Sequence, residues 1–219
     1  MVEKSLSVAF GNSLSEEAVA CVSDLAEVGL DTILEDGILK EVPILSTAIS
    51  IYKIGSSIAE RHHLKKLVVF LDEINKGIID ESKRIEYQQK FEENKKFRNK
   101  ELEYILILIE RYISYDKPQM LAKLFLAYLD NKVTWMEFAK YAEIIDRLFD
   151  GDLHYLNVRV LRSIGSDDVA VDSVLRLLAV GLVVQRQMHI SDDGDGNVEI
   201  HNGEGYEITP LGAKLMTIL

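Results

Sequence analysis

The stretches LLAVGLVVQRQ (residues 177–187) and YEITPLGAKLMTIL (residues 206–219) decide how the C-terminal part of the chain folds. Just upstream, Val171, Val174, Leu175, Leu178 and Ala179 recur at helical spacing and predict a core-facing helix side over Val169–Val180. Gly181 stops that helix, and Leu182-Val183-Val184 begins a strand. A polar, glycine-rich stretch, Ser191–Asn197, separates it from a return strand at Tyr206-Glu207-Ile208. Thr209-Pro210 opens a last helix, with a capping hydroxyl and a proline at the first helical position, where its missing N–H is no loss. Leu211, Leu215 and Ile218 dock that helix. Ser166-Asp167-Asp168 place acids at the positive end of the Val169–Val180 helix, and Leu153–Ile164 reads as an amphipathic helix ended by Gly165.

Working back towards the N-terminus, Asp150-Gly151-Asp152 is a turn. Before it, Thr134 and Glu137 have capping-box spacing and lead a helix with Trp135, Phe138, Ala142, Ile145, Leu148 and Phe149 on its buried side. Asp116-Lys117-Pro118 starts another, with Met120, Leu121, Leu124, Phe125 and Tyr128 inward, and Asp130-Asn131-Lys132 turns the chain after it. Glu101–Ile113 is a core helix through Leu102, Ile105, Leu106, Ile109, Tyr112 and Ile113. Short loops between such helices imply antiparallel neighbours in a bundle. Residues 80–100 are charge-rich, with Ile85, Phe91 and Phe97 as sparse apolar points, and read as a solvated helix or a connector. Lys95–Lys100 is a candidate anion contact.

The segment VPILSTAISIYKIGSSI (residues 42–58) stands apart. Lys53 is the one charge between Val42 and Ala59, and it shares a narrow polar stripe with Ser46, Ser50 and Ser57. A helix so apolar is either central in a core or embedded in lipid, although this run falls short of the about 20 residues a span needs. A charged cluster follows, then a second apolar face at Leu67, Phe70, Leu71, Ile74 and Ile78. One reading is a buried helix hairpin. The other is a membrane-inserting element over residues 42–79, with Lys53, Arg61, Lys65 and Lys66 meeting anionic headgroups. At the start of the chain, Ser13 and Glu16 suggest a first helix through Val19, Val22 and Leu25 towards Leu34, broken by Gly37.

The chain has 219 residues, 47% of them hydrophobic, with 3 prolines and 13 glycines, so long helices around a sizeable core are expected. It divides into residues 1–119, helical with the very apolar hairpin, and residues 120–219, whose core is about 153–219. The fold class is therefore mainly α, an N-terminal helical bundle plus a small α+β C-terminal module. Met1–Phe10 lacks the apolar run of a signal peptide, and the lone Cys21 excludes an internal disulfide; both fit the cytoplasm, with peripheral membrane association as a variant. Cys21 sits among Ala18, Val22 and Leu25 and reads as a small core residue. The net charge of −11 is uneven: residues 1–60 carry 3 basic and 10 acidic groups, residues 61–100 carry 11 and 7, and residues 120–219 carry 9 and 15. A general polyanion binder would show a broad basic face.

The helix ahead of GLVVQRQ, the loop and the closing YEITPLGAKLMTIL resemble the winged helix-turn-helix of bacterial regulators over about residues 153–219. The resemblance makes the Val169–Val180 helix the recognition helix and the hairpin the wing. The chain as a whole is also similar to uncharacterised bacterial and prophage proteins, which implies a prophage or defence setting and no particular activity. DNA binding transfers badly. The recognition helix carries Arg176 alone against Asp167, Asp168 and Asp172, and residues 166–207 hold 2 basic and 9 acidic groups, which repel phosphates. Winged helices also bind proteins. The leading expectation is a non-enzymatic adaptor whose acidic module docks a basic protein through Asp168, Asp172, Arg176, Asp192, Asp193, Asp195 and Glu199. The alternatives are a membrane effector using residues 42–79 and a DNA-binding regulator; a homo-oligomer stays open.

Asp193, Asp195, Asn197, Glu199 and Glu204 have calcium-loop spacing, but Val198 occupies the position that needs glycine for the sharp turn, so an ordinary acidic wing is the better reading. His62, His63, His154, His189 and His201 form no metal motif, and no phosphate loop, dinucleotide fingerprint or nucleophile elbow is present. No enzyme activity, cofactor or metal is expected.

Overall fold

A computed structural model describes residues 6–14, 18–19, 21–23, 41–52, 57–78, 81–156, 161, 171–185, 189–192, 198–201 and 206–219. The described chain is mainly helical, with short antiparallel strands near its end. Its contacts form two compact units, Met1–Phe138 and Ala139–Leu219. The division falls inside the helix Trp135–Arg147, and the helix Asp116–Leu129 packs along Ile58–Gly77 within the first unit.

In the first unit, α1 (Leu6–Asn12) packs on α2 (Pro43–Tyr52), α4 (Glu81–Glu93) and α5 (Lys95–Arg111). Helix α3 (Ile58–Gly77) packs on α5 and on α6 (Asp116–Leu129). Phe10 of α1 lies 4.9 Å from Phe91 and 5.8 Å from Phe125, ring centre to ring centre. Phe125 in turn faces Phe70 at 6.2 Å and Phe138 at 6.0 Å. Tilted rings at such distances attract beyond the area they bury, and five helices meet on this cluster.

Several expected starts and stops shift. The first described helix precedes Ser13, whose hydroxyl donates to the Ala9 carbonyl (2.9 Å) and accepts the Ile44 N–H (2.8 Å). Ser13 therefore satisfies a free N–H at the start of α2, 31 residues away, where the spacing to Glu16 had suggested a local cap. Of the helix expected up to Leu34, residues 18–19 and 21–23 are helical, with Ala18 and Val22 buried; Glu16, Leu25, Leu34 and Gly37 lie outside the described residues. Nor is Val42–Ala59 one helix. Helix α2 ends at Tyr52, and Ser57 caps α3: its hydroxyl accepts the Glu60 N–H (3.3 Å) while the Glu60 carboxylate accepts the Ser57 N–H (3.0 Å). Ser57 is thus a cap and not a rung of a polar stripe.

Residues 81–111 are helical apart from a break at Asn94, with Tyr87 and Phe91 giving α4 its buried side. Helix α5 stops at Arg111, so Ile113, expected in the core, faces solvent. Pro118 lies in the first turn of α6, and the Thr134–Glu137 box forms as expected (2.9 and 3.2 Å) to start α7 (Trp135–Arg147).

In the second unit, Gly151, in the left-handed region at φ 86°, leads into a single 3-10 turn, Asp152–Tyr155, where a longer helix was expected. Leu161 is helical, and the rest of 157–164 lies outside the described residues. Helix α8 (Val171–Ala179) ends at Gly181 (φ 78°), with the Leu182 N–H bonded to the Leu177 carbonyl (2.9 Å) and the Gly181 N–H to Leu178 (3.0 Å), the paired closure that a left-handed glycine permits. Strand β1 (Val183–Gln185) pairs antiparallel with β4 (Tyr206–Ile208), Val183 opposite Ile208. Strand β2 (His189–Asp192) pairs antiparallel with β3 (Val198–His201). Thr209 caps α9 (Pro210–Ile218), accepting the Gly212 N–H (3.1 Å) and donating to the Gly181 carbonyl (2.7 Å). Gly212 is held tightly: a Cβ there would stand 2.3 Å from the Leu182 carbonyl oxygen.

Candidate functional site

The second unit builds its site around α8. The helix buries Val174 and Leu177, and turns Leu175 (49% exposed) and Leu178 (37% exposed) outward. Sequence spacing had placed both leucines inside. The inward stripe runs one position over, with Val174 and Leu177 buried and the Leu177 carbonyl accepting the Leu182 N–H ahead of β1. Asp172 is exposed on the same helix, one turn from Leu175.

Arg176 is engaged within the unit. Its Nε and Nη2 donate to the two carboxylate oxygens of Asp152, each at 2.8 Å, and Nη2 also reaches the Ser173 hydroxyl at 3.1 Å. The guanidinium lies 4.4 Å over the Phe149 ring, and the Phe149 N–H donates to Asp152 at 2.8 Å. Burial alone would raise the Asp152 carboxyl; the bonds from Arg176, from the Phe149 amide and from Ser173 outweigh it and hold the group below the ordinary carboxylate range. The bond to Asp152 likewise keeps Arg176 firmly protonated. The two-pronged pair and the ring fix the guanidinium's direction, as a planar fork on a carboxylate does. Arg176 is thus engaged inside the unit, and Phe149, expected on the buried side of its helix, is 66% exposed and serves as the platform under Arg176. Asp152 had read only as part of a turn; its pairing spans 24 residues, which no local pattern reports.

Of the other acidic candidates, Asp192 and Glu199 lie on the paired strands β2 and β3, with Ser191 opposite Glu199 and Asp192 opposite Val198. Asp168, Asp193 and Asp195 lie outside the described residues. Glu199 in a ladder does not fit a calcium loop, whose ligands wrap one ion from an irregular backbone. Among the described residues no three His, Cys, Asp or Glu side chains gather to hold a metal ion.

In the first unit the basic candidates separate. Lys66 is buried, and its amine donates to the Glu110 carbonyl at 2.8 Å and to that of Tyr112, closing the end of α5; burial pulls its pKa down. It offers nothing to a headgroup. Lys65 lies 4.7 Å over the Tyr115 ring, and Arg61 is half-buried in the first turn of α3. His63 is buried, and burial first, then Lys66, lowers its pKa. Lys53 lies outside the described residues. Ile44, Leu45, Ala48, Leu64, Leu67, Phe70 and Leu71 are all buried, so insertion of residues 42–79 would have to strip the core. Among the described residues no helix is long and apolar enough to cross a membrane. Cys21 is only half-buried, its thiol donating to Glu41 at 3.5 Å, and a carboxylate neighbour does not favour a reactive thiolate.

Comparison with protein-family models, curated proteins and solved structures finds no match to this chain.

Proposed function

We propose that residues 139–219 form an acidic winged-helix module that docks a basic protein surface, making the chain a non-enzymatic adaptor. The order helix 171–179, strand, hairpin, strand, helix 210–218 supports the winged-helix reading. The observation that carries the functional part is the Asp152–Arg176 pair. It ties the one cation of α8 within the module and leaves Asp172, Leu175 and Leu178 as the outward side of that helix. A phosphate backbone finds no cation on that side, whereas an amphipathic partner with lysines or arginines around an apolar centre finds both an apolar stripe and opposite charge.

The test presents the full chain and its Leu175→Ser/Leu178→Ser variant with a helical peptide of lysines and leucines, and separately with random duplex DNA, at rising salt. The wild-type chain binds the peptide, binding weakens with salt, and the variant loses on the order of tenfold in affinity. DNA binding that Arg176→Ala weakens would replace the adaptor with a DNA reader. Self-association abolished by the same double substitution would make a second copy the partner.

A further inference from the structure

A second exposed apolar site lies on the first unit and shares no residue with the surface proposed above. Ile113 (86%) and Ile58 (80%) are the most exposed large hydrophobic side chains among the described residues. Ile58 opens α3, and Ile113 follows the end of α5. His62 stands between them: it lies one turn after Ile58 on the same side of α3 and packs on Tyr115, two residues beyond Ile113. Its ring lies 5.1 Å from that of Tyr115.

The border of this apolar pair is mostly basic. Arg61 and Lys65 come from α3, Arg111 from the end of α5 and Lys117 from the start of α6. Lys65 rides 4.7 Å over Tyr115 and Lys117 rides 5.6 Å over Tyr112. The carboxylates nearby are Glu60, which serves the Ser57 cap, Glu110 and Asp116. In a chain of net charge −11, residues 61–100 are the basic stretch; Arg61 and Lys65 belong to it, while Arg111 and Lys117 come from the segment that follows.

We infer that this end of the first unit is a peripheral docking point for an anionic bilayer surface. Two isoleucine tips can enter the boundary between headgroups and acyl chains while the core of α3 stays packed. Tyr115 suits the headgroup level, and the four cations of the border, one more than its carboxylates, meet lipid phosphates. Neither signal is enough alone, since a small apolar anchor gives weak attachment until basic residues are added. The acidic remainder of the chain repels the same surface, but salt screens charges beyond about 8–10 Å, so the local border dominates close to the membrane. A basic protein partner is disfavoured by that border, and nucleic acid would leave both isoleucines facing phosphate and water.

The test is flotation of the full chain with vesicles of phosphatidylcholine alone or mixed with phosphatidylglycerol. The chain floats with the mixed vesicles and stays in the soluble fraction with phosphatidylcholine alone. Ile58→Ser/Ile113→Ser keeps the circular dichroism of the wild type and lowers partitioning on the order of tenfold or more. Arg61→Gln/Lys65→Gln lowers it too and flattens its salt dependence. Leu175→Ser/Leu178→Ser floats as the wild type does, which separates this site from the adaptor surface. A chain that stays soluble with the mixed vesicles, or an Ile58→Ser/Ile113→Ser variant that floats unchanged, overturns the inference.

Discussion

Replacing Gly212 by alanine sets two physical effects against each other. Alanine is favoured over glycine inside a helix by about 1 kcal/mol, and Gly212 lies in α9, so helix propensity predicts a more stable module. The packing predicts the reverse. The new methyl would stand 2.3 Å from the Leu182 carbonyl oxygen and 3.0 Å from Cγ2 of Ile208. Ordinary contact requires roughly 1 Å more separation from that oxygen. The backbone would have to yield, and the same carbonyl accepts the Thr209 N–H at 3.0 Å and the Thr209 hydroxyl at 3.2 Å. Overpacking costs about 1–3 kcal/mol and a loosened hydrogen bond about 1 kcal/mol; less the propensity gain, Gly212→Ala loses about 1–3 kcal/mol. Amide exchange at Thr209 measures it, at about tenfold for each 1.4 kcal/mol. Gly151→Ala is the control: its φ of 86° brings backbone strain alone, with nothing within 4 Å of the added Cβ. A Gly212→Ala chain as stable as the wild type would refute the close approach of α9 to β1.

Phe125→Ala removes the ring on which α1, α3, α4 and α7 converge and costs about 3–5 kcal/mol, read by urea unfolding through the fluorescence of the single tryptophan, Trp135; a loss under about 1 kcal/mol counts against so tight a cluster. His63 is held below its ordinary pKa by burial and then by Lys66, so between that lowered value and about 6.5 the unfolded chain holds more protons and stability rises with pH. Acidification through this window therefore lowers the urea midpoint, and by less in His63→Gln; equal losses in both would remove His63 from the account. Arg176→Lys keeps the charge but cannot make the two parallel bonds to Asp152 or lie flat on Phe149, so exchange of the Phe149 amide quickens several-fold, and unchanged protection would show that charge alone suffices.

What the sequence makes legible is what neighbours decide. The Thr134–Glu137 box, the Thr209-Pro210 start, the Gly181 stop and the strands at 183–185 and 206–208 depend on residues within a few positions of each other, and all are seen. Ser13 misled because its true partner is Ile44. Helical periodicity located a stripe on α8 but offset it, putting Leu178 where Leu177 belongs, since a short stripe of apolar residues on both sides does not say which side the rest of the chain covers. Ile113 and Phe149 fit the same repeat and yet lie beyond the helix ends. The Asp152–Arg176–Phe149 cluster joins residues that carry no shared local pattern, which is why the sequence does not show it.

Helix α1 has a bearing on how the protein is made. Its Phe10 needs Phe91 and Phe125, its Ser7 N–H is accepted by the side chain of Asn99 at 2.8 Å, and the Leu14 carbonyl after it waits for Arg84. Helix α1 is therefore synthesised well before the surroundings it needs. At about 5–20 residues per second, the roughly 115 residues between Phe10 and Phe125 keep an apolar segment waiting for on the order of ten seconds. That interval is when a nascent chain is open to chaperones or to other copies of itself. Slower translation would lengthen it.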